Sequence, residues 1–86
     1  MRVELPSPLH GYTGGVSHVD ADGESLMAVV DWLDARYPGL KFRIVDEQDR
    51  IRPHIRFFVG DAMARSLSHP VTGSDVVKIV AALSGG

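Results

Sequence analysis

The 86-residue chain has a formal net charge of -2, an apolar fraction of 44% and no cysteine. This length allows one domain with a small core, and the near-neutral charge excludes the extended basic surface that a nucleic-acid backbone requires. The lack of cysteine excludes disulfide bonds, a thiol nucleophile and a thiolate metal site.

The amino-terminal residues Met1–Leu5 include charged side chains where a signal peptide needs an apolar run. No segment of the sequence reaches the length of a membrane-spanning helix. We therefore expect a cytoplasmic protein that does not bind membranes.

The first 20 residues predict two strands. Residues 2–5 alternate polar and apolar side chains, and Pro6 and Pro8 end any pairing beyond them. Residues 7–15 form a loop rich in proline and glycine, and alternation returns over residues 16–20. We expect a hairpin with a long connection.

A helix is predicted from Ser25 to Tyr37. Asp22, Glu24 and Ser25 supply capping groups, and Pro38 and Gly39 end the helix. Apolar residues recur along it at the spacing of one helical face: Leu26, Val29, Val30, Leu33 and Tyr37. Trp32 lies beside this face and is expected to be partly buried.

The second half of the chain predicts two or three further strands. Residues 40–45 fit either a strand or a helical turn, and the polar run 46–50 after them favours a single turn and a loop. Residues 55–59 predict a strand, residues 63–68 a short edge strand or a helical turn, and a last strand begins at Asp75 or Val76.

This order of elements indicates an α+β domain of the β-grasp (ubiquitin-like) type. One main helix packs on a four- or five-stranded mixed sheet, and the first and last strands lie side by side in parallel at its centre. We assign residues 1–83 to this domain and residues 84–86 to a flexible tail, because Gly85 and Gly86 have no side chain to pack.

The sequence resembles the MoaD/ThiS family of ubiquitin-like sulfur carriers, and within it the carriers of the cysteine-biosynthesis type. The resemblance covers nearly the whole chain and depends on Tyr37-Pro38-Gly39, on Arg52-Pro53-His54 before residues 55–59, and on residues 75–79 with the final Gly85-Gly86. Two positions depart from the family pattern. Ser74 stands where these carriers usually have glycine before Asp75, and Ala81 stands where a proline often follows the last strand.

The resemblance implies a co-substrate protein and not an enzyme. An activating enzyme related to those of ubiquitin would use ATP to adenylate the carboxylate of Gly86, and a sulfur donor would then convert it to a thiocarboxylate. Gly85 would be the slim neighbour that lets the end of the chain enter a narrow channel. A downstream sulfur-accepting enzyme would be the second partner, and the chain itself would bind no cofactor.

Strand alternation predicts the partner-binding surface. If Val77 and Ile79 face the helix, Lys78 and Val80 face outward, and Arg56 and Phe58 do the same when Phe57 faces inward. We expect an exposed Phe58 beside Val80, rimmed by Arg56 and Lys78, unless a neighbouring loop covers half of Phe58. Leu83 is expected to anchor the tail in a partner groove.

Other charged residues give weaker signals. Arg50, Arg52 and Arg56 are close in sequence and predict a local positive spot, either a solvated face or a docking rim. The spacings of the four histidines match no zinc motif, so no metal site is predicted.

Three alternatives remain open at this point. The chain could be a ubiquitin-like modifier joined to target lysines through Gly86, because the same adenylate serves both functions. It could be the small subunit of molybdopterin synthase, or a small binding domain with an accidental Gly-Gly end.

Overall fold

The computed structural model describes residues 1–81. Within that range the strands are β1 (Arg2–Glu4), β2 (His18–Asp20), β3 (Ile55–Val59), β4 (Ala62–Ala64) and β5 (Val76–Ala81). The helices are α1 (Leu26–Arg36) and the short α2 (Leu40–Ile44), and a single 3-10 turn covers Ser7–Leu9. The five strands form one mixed sheet in the order β2-β1-β5-β3-β4.

Strand β5 lies at the centre of the sheet. It pairs in parallel with β1, with Val3 opposite Val77, and antiparallel with β3, with Phe57 opposite Ile79. The predicted β-grasp arrangement is therefore confirmed, including the parallel pairing of the first and last strands. Because β5 is paired on both sides up to Lys78 and with β3 up to Ala81, the chain reaches Ala81 from a rigid support.

Helix α1 covers one face of the sheet. Ser25 begins it as the N-cap, where its hydroxyl accepts a hydrogen bond from the backbone N–H of Ala28 at 3.2 Å. Four residues of the predicted apolar face, Leu26, Val29, Val30 and Leu33, have no exposed area, and the fifth, Tyr37, is the half-buried C-cap. Trp32 is half-buried as expected, and the Arg36 guanidinium lies 4.7 Å from the centre of its ring.

Helix α2 settles the ambiguity over residues 40–45 in favour of a helical turn. Gly39 has a φ of 95°, a left-handed conformation that glycine adopts without strain. Asp34 Oδ1 accepts hydrogen bonds from the backbone N–H groups of Gly39 and Lys41, at 3.2 and 3.1 Å. A side chain of α1 therefore fixes the start of α2, which buries Leu40 and Ile44.

Asp46 organises the polar turn after α2. The backbone N–H of Arg50 donates to its carboxylate at 2.9 Å, and the backbone N–H of Gln48 donates at the same distance. The hydrogen bond from Arg50 is the main reason why the pKa of the Asp46 carboxyl lies below its usual value, and desolvation offsets part of the shift.

Replacing Asp46 with asparagine is expected to make folding stability less dependent on pH. A lowered folded-state pKa means that the ionised carboxylate stabilises the fold above the ordinary value of 3.8, and that this contribution is lost as the pH falls through the folded-state pKa. The difference in free energy of unfolding between wild type and Asp46→Asn should be largest at pH 7 and should shrink below pH 3.8. Urea unfolding across this range measures it.

The matched control is Asp61→Asn, which changes an exposed aspartate in the turn between β3 and β4. Asp61 makes no side-chain hydrogen bond within residues 1–81. An equal pH-dependent effect in both variants would contradict the role of the Asp46 turn.

Candidate functional site

The sheet has a second face, opposite the helices, and strand β5 runs along its centre. Val77 and Ile79 point to the core and are buried, so Lys78 and Val80 point to the outer face. Lys78 is exposed, and Val80 keeps 41% of its area exposed. The alternation predicted for this strand is therefore present.

Strand β3 shows the same alternation with one difference from expectation. Ile55 and Phe57 are buried and Arg56 is exposed, but Phe58 is half-buried where the sequence predicts it to be exposed. The reason is its position in the sheet. Phe58 is flanked by Lys78 of β5 on one side and by Met63 of β4 on the other.

The antiparallel register of β3 and β5 fixes which outer-face residues meet. Arg56 lies directly opposite Val80, and Phe58 lies directly opposite Lys78. Phe58 and Val80 are therefore diagonal neighbours, at a spacing that a long aromatic side chain spans. The structure brings all four residues together, although each apolar residue lies opposite a cation and not opposite the other apolar residue.

Met63 belongs to the same surface, and the sequence did not identify it. It is 50% exposed and is paired with Phe58 across β3 and β4. The local sequence of residues 63–68 does not reveal that the edge strand is Ala62–Ala64. Met63 is identified only by its pairing with a residue of another strand. We call Phe58, Met63 and Val80 the sheet-face patch.

Charge is divided across this outer face. On the β1 side, Arg2 donates to Glu4 at 3.1 Å, and Glu4 lies beside Lys78 through the parallel pairing of β1 and β5. On the β3 side, Arg56 makes no ion pair within residues 1–81 and its Nη1 donates to the backbone carbonyls of Pro53 and Ile55. An apolar patch with a basic rim is typical of a protein-binding face.

The predicted carrier residues Gly85 and Gly86 and the predicted anchor Leu83 lie outside the described residues. The structure shows the point from which the chain continues toward them. Ala81, the last described residue, is paired with Ile55 at the start of β3. That end of the sheet is also where Arg52, Pro53 and His54 lead into β3.

Residues 1–81 contain neither a metal-binding cluster nor a membrane-spanning helix. No cluster of three or more histidine, cysteine, aspartate or glutamate side chains there has a geometry that holds a metal ion. In the same range, no helix combines the length and the apolar character that crossing a bilayer requires.

Comparison with known proteins gives a family match over almost the whole chain. The model of the ThiS family matches residues 3–86. The sulfur carrier protein CysO of Mycobacterium tuberculosis and that of Mycobacterium bovis are each 33% identical to this chain over 91 aligned residues. The alignment covers 100% of this chain and 98% of each relative.

Solved structures agree with this match. A chain in the crystal structure of the Amycolatopsis orientalis BexX/CysO complex superposes with a TM-score of 0.92 at 31% identity, covering 99% of this chain and 98% of that chain. Mycobacterium tuberculosis CysO gives 0.90 at 30% identity, covering 95% and 98%. The small archaeal modifier protein 1 of Methanosarcina acetivorans shares the fold, with a TM-score of 0.82 at 24% identity and coverage of 99% and 94%.

Proposed function

Because the chain belongs to the ThiS family and is a sulfur carrier of the CysO type, we propose that it carries sulfur as a thiocarboxylate at the carboxyl group of Gly86. The observation that supports this most strongly is the full-length similarity to CysO sulfur carrier proteins, together with a family match that extends to residue 86. The acceptor of the sulfur is a metabolite or cofactor precursor held by a partner enzyme.

The chemistry has two steps, both performed on this chain by partners. The Gly86 carboxylate attacks ATP, which forms an acyl adenylate and releases pyrophosphate. Hydrosulfide then attacks the acyl carbon and forms the C–S bond, the C–O bond to AMP breaks, and AMP leaves with the electron pair of that bond. Adenylation is needed because an oxide ion is too poor a leaving group to be displaced from a free carboxylate.

The role of the fold in this chemistry is to present the carboxyl end of the chain to the partner enzymes. Strand β5 is paired with β1 up to Lys78 and with β3 up to Ala81, and the sheet-face patch with Arg56 and Lys78 lies on β3, β4 and β5. We propose that the activating enzyme docks on this face. Docking there would bring the enzyme within reach of the carboxyl end, because residues 82–86 span at most about 17 Å of extended chain.

Incubation with ATP, sulfide and a lysate of the source cells is expected to raise the intact mass of the protein by about 16 Da, the difference between one sulfur and one oxygen atom. Because the chain contains no cysteine thiol, alkylation by iodoacetamide that appears only after loading reports the thiocarboxylate sulfur itself. Mass spectrometry of the whole protein, before and after alkylation, measures both changes.

The negative control is the variant that lacks Gly86, which should gain neither sulfur nor the alkyl group. Ser84→Ala is the matched positive control, since it keeps both terminal glycines. Covalent attachment of the chain to other proteins, with no gain of sulfur, would overturn the proposal in favour of a protein modifier. An unchanged mass in a lysate that thiolates a known CysO would overturn it as well.

A further inference from the structure

Four arginines surround the end of the sheet from which the chain continues past Ala81. Arg56 is paired with Val80, Arg52 lies just before β3, Arg65 follows β4, and Arg43 lies on α2. We call these four residues the arginine collar. None of them makes an ion pair within residues 1–81, whereas Arg2 and Arg50 are paired with Glu4 and Asp46.

Two adjoining open pockets lie between these side chains. One, of about 260 Å³, contains Arg52, Arg56 and Arg65, and the other, of about 250 Å³, contains Arg43 and Arg52 with His54. Arg52 lines both pockets and so joins them. Neither pocket is lined by an aspartate or glutamate among the described residues, which leaves the positive charge uncompensated.

Two of the guanidinium groups are held in place. Arg52 Nε donates to the backbone carbonyl of Phe42 at 2.7 Å, and its guanidinium carbon lies 4.7 Å from the centre of the Phe42 ring. Arg56 Nη1 donates to the carbonyls of Pro53 and Ile55, at 2.6 and 2.9 Å. Each guanidinium has five N–H donors, so both keep donors for a carboxylate, and holding them in place lowers the entropy lost on binding.

We propose that the arginine collar binds an acidic segment of the partner protein that receives the carboxyl end of this chain. This proposal rests on the proposed function, because a partner that holds Gly86 must lie within about 17 Å of Ala81 and therefore faces the collar. The chain as a whole has 11 acidic and 9 basic residues, so the collar is a positively charged region on a chain whose net charge is negative. A local positive region of this kind orients an approaching acidic surface and increases the rate of association.

The surroundings of the collar favour a protein over a nucleotide or a nucleic acid. Phe42 is 61% exposed and Met63 is 50% exposed, and these two apolar residues flank the two pockets. Arginines mixed with exposed apolar side chains are typical of protein interfaces. A nucleic acid longer than a few nucleotides would also meet the acidic remainder of the chain, since the net charge is -2.

Titration of the full chain with a hexaglutamate peptide, followed by the shifts of backbone amide signals in NMR spectra, tests the proposal. We expect the largest shifts at the amides of residues 43, 52, 54–56 and 65, and weaker binding at higher salt. Arg65→Glu should weaken binding about tenfold, since it removes one cation and adds a repulsive anion. Arg65 is exposed and makes no side-chain hydrogen bond or ion pair within residues 1–81, so this variant should fold.

Arg36→Glu is the matched control, because it makes the same change of net charge on α1, at the end of that helix. It should leave binding within about twofold of wild type. Equal losses in both variants would mean that only net charge matters and would overturn the collar. Stronger binding of ATP or of a single-stranded oligonucleotide at the same amides would overturn the choice of a protein partner.

The test also separates the collar from the sulfur chemistry. A chain that lacks Gly85 and Gly86 should bind hexaglutamate as wild type does, because the collar does not include them. No binding by the wild-type chain would overturn the collar and leave the thiocarboxylate proposal unaffected. If the chain binds the peptide at the collar but never gains sulfur, the proposed function is wrong. The arginine collar would then still be a binding site for acidic segments.

Discussion

Replacing Phe57 with alanine is expected to lower the free energy of unfolding by about 3–5 kcal/mol, which is the range for truncating a large buried aromatic side chain. Phe57 is fully buried and lies in the middle of β3, where it is paired with Ile79 on one side and with Ala64 on the other. The neighbouring strands are hydrogen-bonded to β3 and cannot move into the cavity freely. Urea unfolding followed by circular dichroism measures the effect.

The next residue provides a control with the same chemistry. Phe58 belongs to the same strand but faces the other side of the sheet and is half-buried. Phe58→Ala should cost about 1 kcal/mol, in the ordinary range for a partly exposed position. Similar losses from both substitutions would mean that the two phenylalanines are equally buried, which would contradict the register of β3 and, with it, the location of the sheet-face patch.

Local patterns in the sequence account for much of the fold. Helix α1 has its cap at Ser25 and its buried face at a regular spacing, and β3 runs over the predicted residues 55–59. These signals are local, because they depend on side chains within one turn or one strand. The central position of β5 is not a local signal. It is predicted only from the order of all the elements along the chain, which indicates the β-grasp arrangement.

The surface was harder to predict than the core because it depends on pairing between distant residues. Met63 joins the sheet-face patch only because the register places it opposite Phe58. The positive spot predicted at Arg50, Arg52 and Arg56 also consists of partly different residues in the structure. Arg50 lies 3.4 Å from the Asp46 carboxylate and is compensated, whereas Arg65, distant in sequence, lines a pocket with Arg52 and Arg56.

Replacing Val80 with aspartate is expected to slow sulfur loading about thirtyfold when the chain is at a concentration below saturation of the activating enzyme. A carboxylate at this position would lie directly opposite Arg56, so docking would have to desolvate both charges where an apolar contact was made before, which costs about 2 kcal/mol at the centre of an interface. Val80 is 41% exposed in the free chain, so the fold itself should lose much less. The rate of the 16-Da mass gain in lysate with ATP and sulfide measures the effect.

Two further variants make this prediction specific to the sheet-face patch. Met63→Asp changes an exposed residue on the edge strand β4, and it should slow loading as Val80→Asp does. Tyr12→Asp changes an apolar residue that is 38% exposed in the loop before β2, near Gly39, and it should load at the wild-type rate. Thermal unfolding of all three variants checks that each is folded at the temperature of the assay. If folded Val80→Asp and Met63→Asp load as fast as wild type, the activating enzyme docks elsewhere, and the apolar side chains of the outer face play no part in its recognition.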